Sequence, residues 1–323
     1  MTREKRYALE ARAAAVVQAV VRHLPRPWAL ALGRALGRWL ADLDPRHVGI
    51  AAENLRQAFP HWDGPRRLRT ARAVYAHFGQ TLVDILWMAD QPKERLLSLI
   101  VEEGRENVDR ARAAGKGVVY VSAHFGNWEF YALAFGWMGE TVGLVARPLD
   151  NPALEALLIG FRTRSGNTVI SKRRALQDVL RLLRQGAGVA ILVDQNVQEQ
   201  DGIFVEFFGR PAATTTVAAA LAVKTGCALV PVHCEARPDG RYTFVYGRPV
   251  EWTTTGSREA DIARLTQELT TEIESWVRAR PEQWLWLHRR WKTQPRTTAE
   301  APVTAATPTP ATPTPAATAD TSG

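Results

Sequence analysis

From about residue 99 onward, short apolar runs rich in β-branched residues alternate with stretches whose apolar residues recur at helical spacing. The predicted strands are Gly117–Ser122, Thr141–Ala146, Val189–Val193, Ala228–Cys234 and Tyr242–Tyr246. The predicted helices are Asn127–Met138, Pro152–Ser165, Arg174–Gln185, Thr214–Thr225 and Arg258–Arg278. Alternating elements can bury their apolar faces in few ways, so the pattern predicts an α/β fold with a mostly parallel central sheet flanked by helices.

The first 90 residues show helical periodicity without strands. Four helices are predicted there, over residues 9–24, 28–40, 48–59 and 65–88, and Pro27 suits the first position of the second helix. The chain is therefore divided into a helical N-terminal region (1–90), an α/β core (91–292) and a tail (293–323). The tail consists mainly of Thr, Pro and Ala, which cannot bury a core, and it is predicted to be disordered.

The net charge of +8 is confined to the start of the chain. Residues 1–72 contain 14 basic and 6 acidic residues, whereas residues 73–323 contain 27 of each. A basic helix with an apolar face can lie in an anionic membrane interface. It can also bind nucleic acid, or simply pack on the core with its arginines in water. We favour binding to the membrane over packing on the core, and we expect no nucleic-acid partner.

The sequence contains no obvious membrane span. The longest uncharged apolar stretch near the N-terminus, Ala13–Val21, is bounded by arginines and is far shorter than the roughly 20 residues a span requires. No small-residue cleavage site follows a continuous apolar run, so we expect no cleavable signal peptide. The two cysteines exclude a disulfide framework and cannot form a zinc site alone, which favours a reducing compartment.

One strand leads into a histidine followed five residues later by a glutamate. Gly117–Ser122 runs into a loop with His124, and Glu129 lies at the start of the next predicted helix. The carboxyl ends of strands in open α/β sheets are the usual place for a site. A carboxylate that folds back onto His124 would fix its tautomer and make it a general base. The spacing alone is weak evidence, because a chain with seven His and 33 acidic residues is expected to contain roughly one such pair by chance. A structural histidine at a helix end fits it equally well.

The residues around this pair resemble a known family. His-Phe-Gly-Asn-Trp-Glu after an apolar strand resembles the signature of the bacterial lipid A biosynthesis acyltransferases, the late lauroyl- and myristoyl-transferring enzymes. Further stretches agree with the family pattern in order: Asn54–Pro60, Arg147–Pro152 with Arg162 and Arg164, Asp194–Asn196 with 207–209 and 214–222, and Pro281–Lys292. The resemblance covers about residues 15–292 and implies a glycerol-phosphate acyltransferase-like fold with a helical N-terminal membrane-associating extension.

The resemblance also implies a reaction. An acyl chain would pass from an acyl carrier protein or coenzyme A thioester to a lipid hydroxyl, with no metal or other cofactor. His124 would take the hydroxyl proton, and Glu129 would orient His124 and stabilise its charge. No neighbouring Ser or Cys recommends itself as a covalent nucleophile. We expect the oxyanion to be stabilised by backbone N–H groups near Gly126 and Asn127, at a helix N-terminus.

Other residues of the matched motifs are candidates for substrate binding. Lipid phosphate or the phosphopantetheine arm could be bound by Arg147, Arg162 and Arg164, each of which could instead be a solvated surface residue. Asp194 and Gln195 end a predicted strand and either support the pocket or close a turn. A lipid headgroup would suit Arg289 and Arg290 beside Trp284, Trp286 and Trp291, although core packing of these tryptophans is the alternative.

We therefore predict a membrane-associated O-acyltransferase at the cytoplasmic face of a bacterial inner membrane, attached peripherally or monotopically. Its predicted partners are an acyl carrier protein, a lipid or glycolipid acceptor and the anionic membrane surface. A lipid A precursor, on the route to lipopolysaccharide, is the leading acceptor. The alternatives are acylation of another glycolipid such as a phosphatidylinositol mannoside, thioester hydrolysis, or a catalytically silent membrane-binding role.

Overall fold

The computed structural model describes residues 2–171 and 175–296. The predicted disordered tail therefore lies outside the described residues, apart from residues 293–296. The predicted helix Arg174–Gln185 is described from Ala175 onward.

Nine strands form two sheets in the described residues. They are β1 (Ile100–Glu103), β2 (Val118–Ser122), β3 (Val142–Ala146), β4 (Thr168–Ser171), β5 (Gly188–Leu192), β6 (Ile203–Phe207), β7 (Arg210–Thr214), β8 (Ala228–Ala236) and β9 (Tyr242–Tyr246). Seven of them form one sheet in the order β1-β9-β8-β2-β5-β3-β4. Every neighbouring pair in it is parallel except β8 and β9. The prediction of a mostly parallel α/β sheet is confirmed.

Helices precede the sheet and cover it. They are α1 (Arg3–Val21), α2 (Arg26–Leu43), α3 (Pro45–Ala58), α4 (Gly64–Met88), α5 (Lys93–Leu97), α6 (Arg105–Ala113), α7 (Trp128–Trp137), α8 (Pro152–Thr163), α9 (Ala175–Arg184), α10 (Val217–Thr225) and α11 (Arg258–Ala279). The sequence did not predict α5, α6, β1, β4 or the β6–β7 hairpin. The short strands β1 and β4 are incompletely buried, and α6 is mostly charged, so none has a strong apolar pattern.

The centre of the sheet contains the most deeply buried strand. All five residues of β2 are buried, because helices cover both faces of a parallel sheet and leave its central strands no solvated side. The N-terminal helices contribute to the same core. Phe59 lies 6.1 Å from Trp286, measured between ring centroids, and Trp87 belongs to the cluster that contains β8 and β9. The predicted boundary at residue 90 therefore separates elements that share a core.

Helices α2 and α4 pack backbone to backbone. A Cβ atom added at Gly37 would collide with the backbone of Tyr75, and one added at Gly79 would collide with the backbone of Gly33. Such close approach requires the absence of side chains at these positions. Because α4 also runs beside the loop after β2, where His77 Nε2 lies 3.3 Å from the carbonyl oxygen of Gly126, α2 is fixed relative to that loop.

Among the residues that the structure describes, no helix combines the length and the apolar character needed to cross a bilayer.

Candidate active site

Two adjacent parallel strands bring His124 and Asp194 together. In the β2–β5 pairing, Ser122 lies opposite Leu192, so the residues two positions further along each strand also face each other. Those residues are His124 and Asp194. They lie at the carboxyl edge of the sheet, the position that α/β folds use for their sites.

The carboxylate of Asp194 binds His124 at two points. His124 Nδ1 lies 2.8 Å from Asp194 Oδ1, and the backbone N–H of His124 donates to Oδ2 at 2.9 Å. Oδ2 also accepts the indole N–H of Trp284 at 2.8 Å. The Asp194 side chain is 1% exposed and that of His124 is 20% exposed. The carboxylate is therefore buried and fully hydrogen-bonded, while the imidazole reaches the surface.

This pairing shifts both ionisations toward the charged pair. Burial would lower the pKa of His124, but the adjacent Asp194 carboxylate outweighs it and raises that pKa above its usual range. Burial would likewise raise the pKa of Asp194, but His124 and the hydrogen bonds hold it well below its usual range. Other interior histidines behave differently: burial lowers the pKa of His77 to about 4 and that of His233 to about 3. His124 is thus placed to accept a proton.

The second ring nitrogen of His124 points away from the carboxylate. With Nδ1–H donated to Asp194, Nε2 carries the lone pair, as in a His–Asp pair that acts as a general base. The side-chain amide nitrogen of Gln195 lies 3.4 Å from Nε2, and Gln195 is exposed. The Trp128 ring packs edge-on at 5.2 Å from the imidazole centroid. A hydroxyl group that replaced the Gln195 amide at Nε2 would donate a hydrogen bond to His124.

Glu129 has different partners from those expected. Both of its oxygens are bound by Arg162, with Nε donating to Oε2 at 2.7 Å and Nη2 donating to Oε1 at 2.5 Å. The indole N–H of Trp128 donates to Oε1 at 2.9 Å. The expectation that Glu129 orients His124 by a hydrogen bond is wrong, because Asp194 holds Nδ1. Glu129 acts on His124 only through space, since its charge favours the imidazolium.

The loop between His124 and α7 is held by hydrogen bonds. Gly126, at φ +58°, donates its N–H to the carbonyl oxygen of Gln283 at 2.9 Å. Asn127 caps α7, because its Oδ1 accepts the N–H of Phe130 at 3.0 Å. The N–H of Gly126 is therefore directed to Gln283 instead of toward an oxyanion, whereas the expectation for the N–H of Asn127 stays a prediction.

Two of the predicted arginines have structural partners. Arg164 donates to the carbonyl oxygens of Met88, Ala89 and Gln91 at 2.9–3.0 Å, which satisfies the last carbonyls of α4. Arg290 is 1% exposed and donates to the carbonyl oxygen of Ala213 at 2.7 Å. The Nη atoms of both arginines face protein groups, which favours a structural role over the expected substrate contact.

The remaining two arginines lie on the surface. The Arg147 side chain is 79% exposed and 3.6 Å from Asp150, and Arg289 is exposed. The three tryptophans of the C-terminal motif are buried, which supports core packing over a headgroup contact: Trp284, Trp286 and Trp291.

The C-terminal segment contributes a site residue that the sequence did not identify. Trp284 fixes the orientation of the Asp194 carboxylate. The segment is held by Asn54, whose Nδ2 donates to the carbonyl oxygens of Trp286 and His288 at 2.8 and 2.7 Å. The motifs containing Asn54 and Trp284 were visible, but no local pattern indicates that they meet at Asp194.

Comparison with known proteins identifies the family of the chain. A family model described as bacterial lipid A biosynthesis acyltransferase matches residues 2–293. The lipid A biosynthesis lauroyltransferase of Escherichia coli K12 is 30% identical over 278 residues, covering 85% of this chain and 89% of that protein. The lipid A biosynthesis palmitoleoyltransferase of the same organism is 27% identical, with coverage of 84% and 87%. A phosphatidylinositol mannoside acyltransferase of Mycobacterium tuberculosis is 30% identical over 192 residues, or 58% of each chain.

The resemblance found in the motifs is confirmed over residues 2–293. The protein therefore belongs to the bacterial lipid A biosynthesis acyltransferase family and is an O-acyltransferase that acylates a lipid.

Proposed function

We propose that the protein transfers a fatty acyl chain from an acyl carrier protein or coenzyme A thioester to a hydroxyl of a lipid A precursor or related glycolipid. The observation that carries the proposal is the His124–Asp194 pair. Asp194 binds Nδ1 of His124, which leaves Nε2 directed toward the surface. Thioester and acceptor are co-substrates, and no other cofactor is needed.

The reaction follows from that arrangement. The acceptor hydroxyl oxygen attacks the thioester carbonyl carbon while its proton passes to His124 Nε2. Asp194 stabilises the imidazolium that forms. When the tetrahedral intermediate collapses, the C–S bond breaks and the proton on Nε2 passes to the leaving sulfur. The products are the acylated lipid and the free thiol of the carrier, and His124 returns to its neutral form.

The oxyanion of the intermediate also needs a donor. Nη1 of Arg162 is buried and has no hydrogen-bond partner among the described residues, because Glu129 binds only Nε and Nη2. Arg162 lies close enough to His124 for its charge to oppose protonation of the imidazole. We assign Nη1 to the carbonyl oxygen of the thioester, where a fixed cationic donor stabilises developing negative charge. Glu129 keeps the guanidinium in place.

Replacing Glu129 by Gln is expected to lower kcat by about 10- to 100-fold, because a neutral amide cannot hold the guanidinium bidentately. Glu140→Gln is the matched control. Glu140 is also a buried carboxylate bound by arginines, Arg105 and Arg112, but it lies at the end of α7 remote from His124. Steady-state kinetics of both variants test the role of Glu129. Equal losses in the two would show that Glu129 serves only the fold.

The surface for the lipid is proposed on the N-terminal helices. On α1 the exposed Leu9, Val16 and Val20 share one face, and on α2 the exposed Trp28 and Trp39 do so, 11 residues or about three turns apart. The charge surplus of the chain lies in the same region. Apolar side chains with tryptophan beside basic residues suit the interface of an anionic membrane. We therefore place the enzyme peripherally at the cytoplasmic face of the inner membrane.

The position of α1 connects this surface with the site. Asn151 Nδ2 donates to the carbonyl oxygen of Tyr7 at 3.0 Å and to Glu10 at 2.9 Å, which ties α1 to the start of α8. Helix α8 carries Arg162. A lipid acceptor held at α1 would thus lie beside the helix that contributes the proposed oxyanion donor.

Replacing both Trp28 and Trp39 by Gln is expected to weaken binding to vesicles containing phosphatidylglycerol by about tenfold or more, because two interfacial anchors are lost. Leu176→Gln is the control, since Leu176 is 57% exposed on α9 outside this surface. Co-sedimentation at several salt concentrations measures the effect. Unchanged binding of the double variant would remove α2 from the proposed membrane surface.

The substrate proposal is tested by incubating the purified protein with labelled acyl carrier protein or acyl coenzyme A and a panel of lipid acceptors. Mass spectrometry of the products should show an acylated lipid A precursor. Preferential acylation of phosphatidylinositol mannosides would favour the second candidate, which the Mycobacterium tuberculosis relative supports over part of the chain. Free fatty acid without acylated lipid would indicate a hydrolase, and no turnover of any donor would indicate a silent relative.

A further inference from the structure

A buried hydroxyl group lies between the membrane-side helices and the loop that contains His124. Tyr242, on β9, donates its hydroxyl proton to Asp84 Oδ2 at 2.7 Å. The hydroxyl oxygen of Tyr242 in turn accepts from Asn127 Nδ2 at 3.2 Å. Tyr242 is 1% exposed, and Asp84 and Asn127 are fully buried. The hydroxyl therefore has no access to water, and its two hydrogen bonds define its orientation.

The direction of these bonds is set by a buried ion pair. Arg26, at the start of α2, donates Nε to Asp84 Oδ1 at 2.9 Å and Nη2 to Oδ2 at 2.7 Å. Its Nη1 donates to the carbonyl oxygen of Gly240, in the turn before β9. Both oxygens of Asp84 accept from this guanidinium, and a carboxylate paired in this way only accepts hydrogen bonds. The Tyr242 proton must therefore point to Asp84.

The oxygen of Tyr242 is then left as an acceptor for Asn127. This decides which end of the Asn127 amide faces which neighbour, because an amide has one accepting and one donating end. Nδ2 faces Tyr242, so Oδ1 faces the N–H of Phe130 and caps α7. If the amide turned over, its NH₂ group would meet the N–H of Phe130 and the cap would be lost.

The cap matters because it lies inside the proposed catalytic segment. Asn127 is three residues after His124 and two before Glu129, and Gly126 beside it allows no side chain, since a Cβ there would collide with the Cys234 carbonyl. The start of α7 therefore determines where Glu129 meets Arg162.

We propose that Arg26, Asp84 and Tyr242 are positioning residues for acyl transfer, acting through the orientation of the Asn127 amide. The inference rests on the proposed function of the His124–Glu129 segment. It also gives α2 a second role, because the helix proposed to lie at the membrane holds the catalytic loop through Arg26. None of the three residues touches the reacting atoms.

The test compares Tyr242→Phe with Tyr246→Phe. Tyr246 is the matched control: it lies on the same strand, is also 1% exposed, and donates its hydroxyl to a carboxylate, Glu102, at 2.8 Å, away from Asn127. Both variants lose one buried hydroxyl, and the Tm should fall further in Tyr242→Phe, because Asp84 and Asn127 are fully buried whereas the Glu102 side chain is 39% exposed and can bind water. Only Tyr242→Phe is expected to lower kcat, by about tenfold, with KM within about twofold, because the loss falls on the transition state rather than on substrate binding.

A second variant tests the route through Asn127. Asn127→Ser retains a capping oxygen but cannot reach Tyr242, so adding Tyr242→Phe to it should produce no further loss of kcat. Additive losses would overturn the route, as would equal kcat values in the two tyrosine variants.

Hydrogen–deuterium exchange gives a readout that does not depend on turnover. The amides of Phe130 and Tyr131 should exchange faster in Tyr242→Phe and not in Tyr246→Phe. Unchanged exchange would overturn the inference. Absence of acyl transfer by the wild-type protein would instead overturn the proposed function, and the exchange comparison would still decide whether Tyr242 orients the cap.

Discussion

Replacing His124 by Ala is expected to reduce the rate of acyl transfer by about 10²- to 10⁴-fold, the contribution that a general base usually makes. The acceptor hydroxyl would then have no group to take its proton. In the wild type that group is Nε2 of His124, the ring nitrogen that is not bound to Asp194. The loss should appear in kcat at saturating donor and acceptor, because the proton is transferred during the chemical step.

His124→Asn separates the lost base from any damage to the fold. Its side-chain amide can still donate to Asp194 Oδ1, whereas the alanine variant leaves that oxygen of a buried carboxylate unpaired. We therefore expect the alanine variant to be the less stable of the two in thermal unfolding and both to be equally inactive. Wild-type turnover in either would exclude His124 as the base.

The core of the fold could be predicted from the sequence because its strands are buried on both faces. A strand such as β2 has no solvated side, so it reads as a continuous apolar run with clear ends. Some of the helices packed on it, such as α9, have an equally clear apolar stripe. Shorter, half-exposed elements such as β1 and β4 lack such a contrast, and their residues were not assigned.

The position of His124 could also be predicted, but its partner could not. Glu129 was the expected partner because it is close in sequence, whereas Asp194 is 70 residues away. The two meet only because β2 and β5 are neighbours in register, and strand order is not contained in any local pattern. Both residues were singled out as lying beyond strand ends. Knowledge of the strand order would have paired them.

The binding partners of the arginines could not be predicted from local sequence patterns either. Arg162, Arg164 and Arg290 all lie in motifs that suggested substrate phosphate, yet each binds a group of the protein. An arginine that donates to the carbonyls at a helix end, or to the backbone of a hairpin, can have the same sequence context as one that faces solvent. Of the Nη atoms of these three arginines, only Nη1 of Arg162 is buried and unpaired among the described residues, and it is the one that we assign to the substrate.

Replacing Asp194 by Asn is expected to lower kcat by about 10³- to 10⁴-fold, as the equivalent change does in His–Asp pairs that depend on one tautomer. Oδ2 of Asp194 accepts two N–H groups, from the His124 backbone and from Trp284, whereas Oδ1 accepts only Nδ1–H. The single oxygen of an asparagine is held by the two fixed donors, which turns its NH₂ group toward Nδ1. His124 must then carry its proton on Nε2, where it can no longer act as a base.

The rates of the wild type and of Asp194→Asn should also depend differently on pH. Asp194 raises the pKa of His124, so the wild-type rate should fall on the acid side as His124 becomes protonated, above the pH expected for an isolated imidazole. Without the carboxylate, burial lowers the pKa of His124, and the residual activity of Asp194→Asn should persist to lower pH.

The free energy of unfolding should also depend on pH in a way that reports on this pair. The depressed pKa of Asp194 contributes stability above the unfolded value of about 4, and this is lost as the pH falls through the folded value. The raised pKa of His124 contributes stability below about 6.5, which is lost as the pH rises through its folded value. The stability gap between wild type and Asp194→Asn should thus be widest between about pH 4 and 6.5. Chemical denaturation across this range measures it, and a gap independent of pH would mean that the two groups do not ionise as a pair.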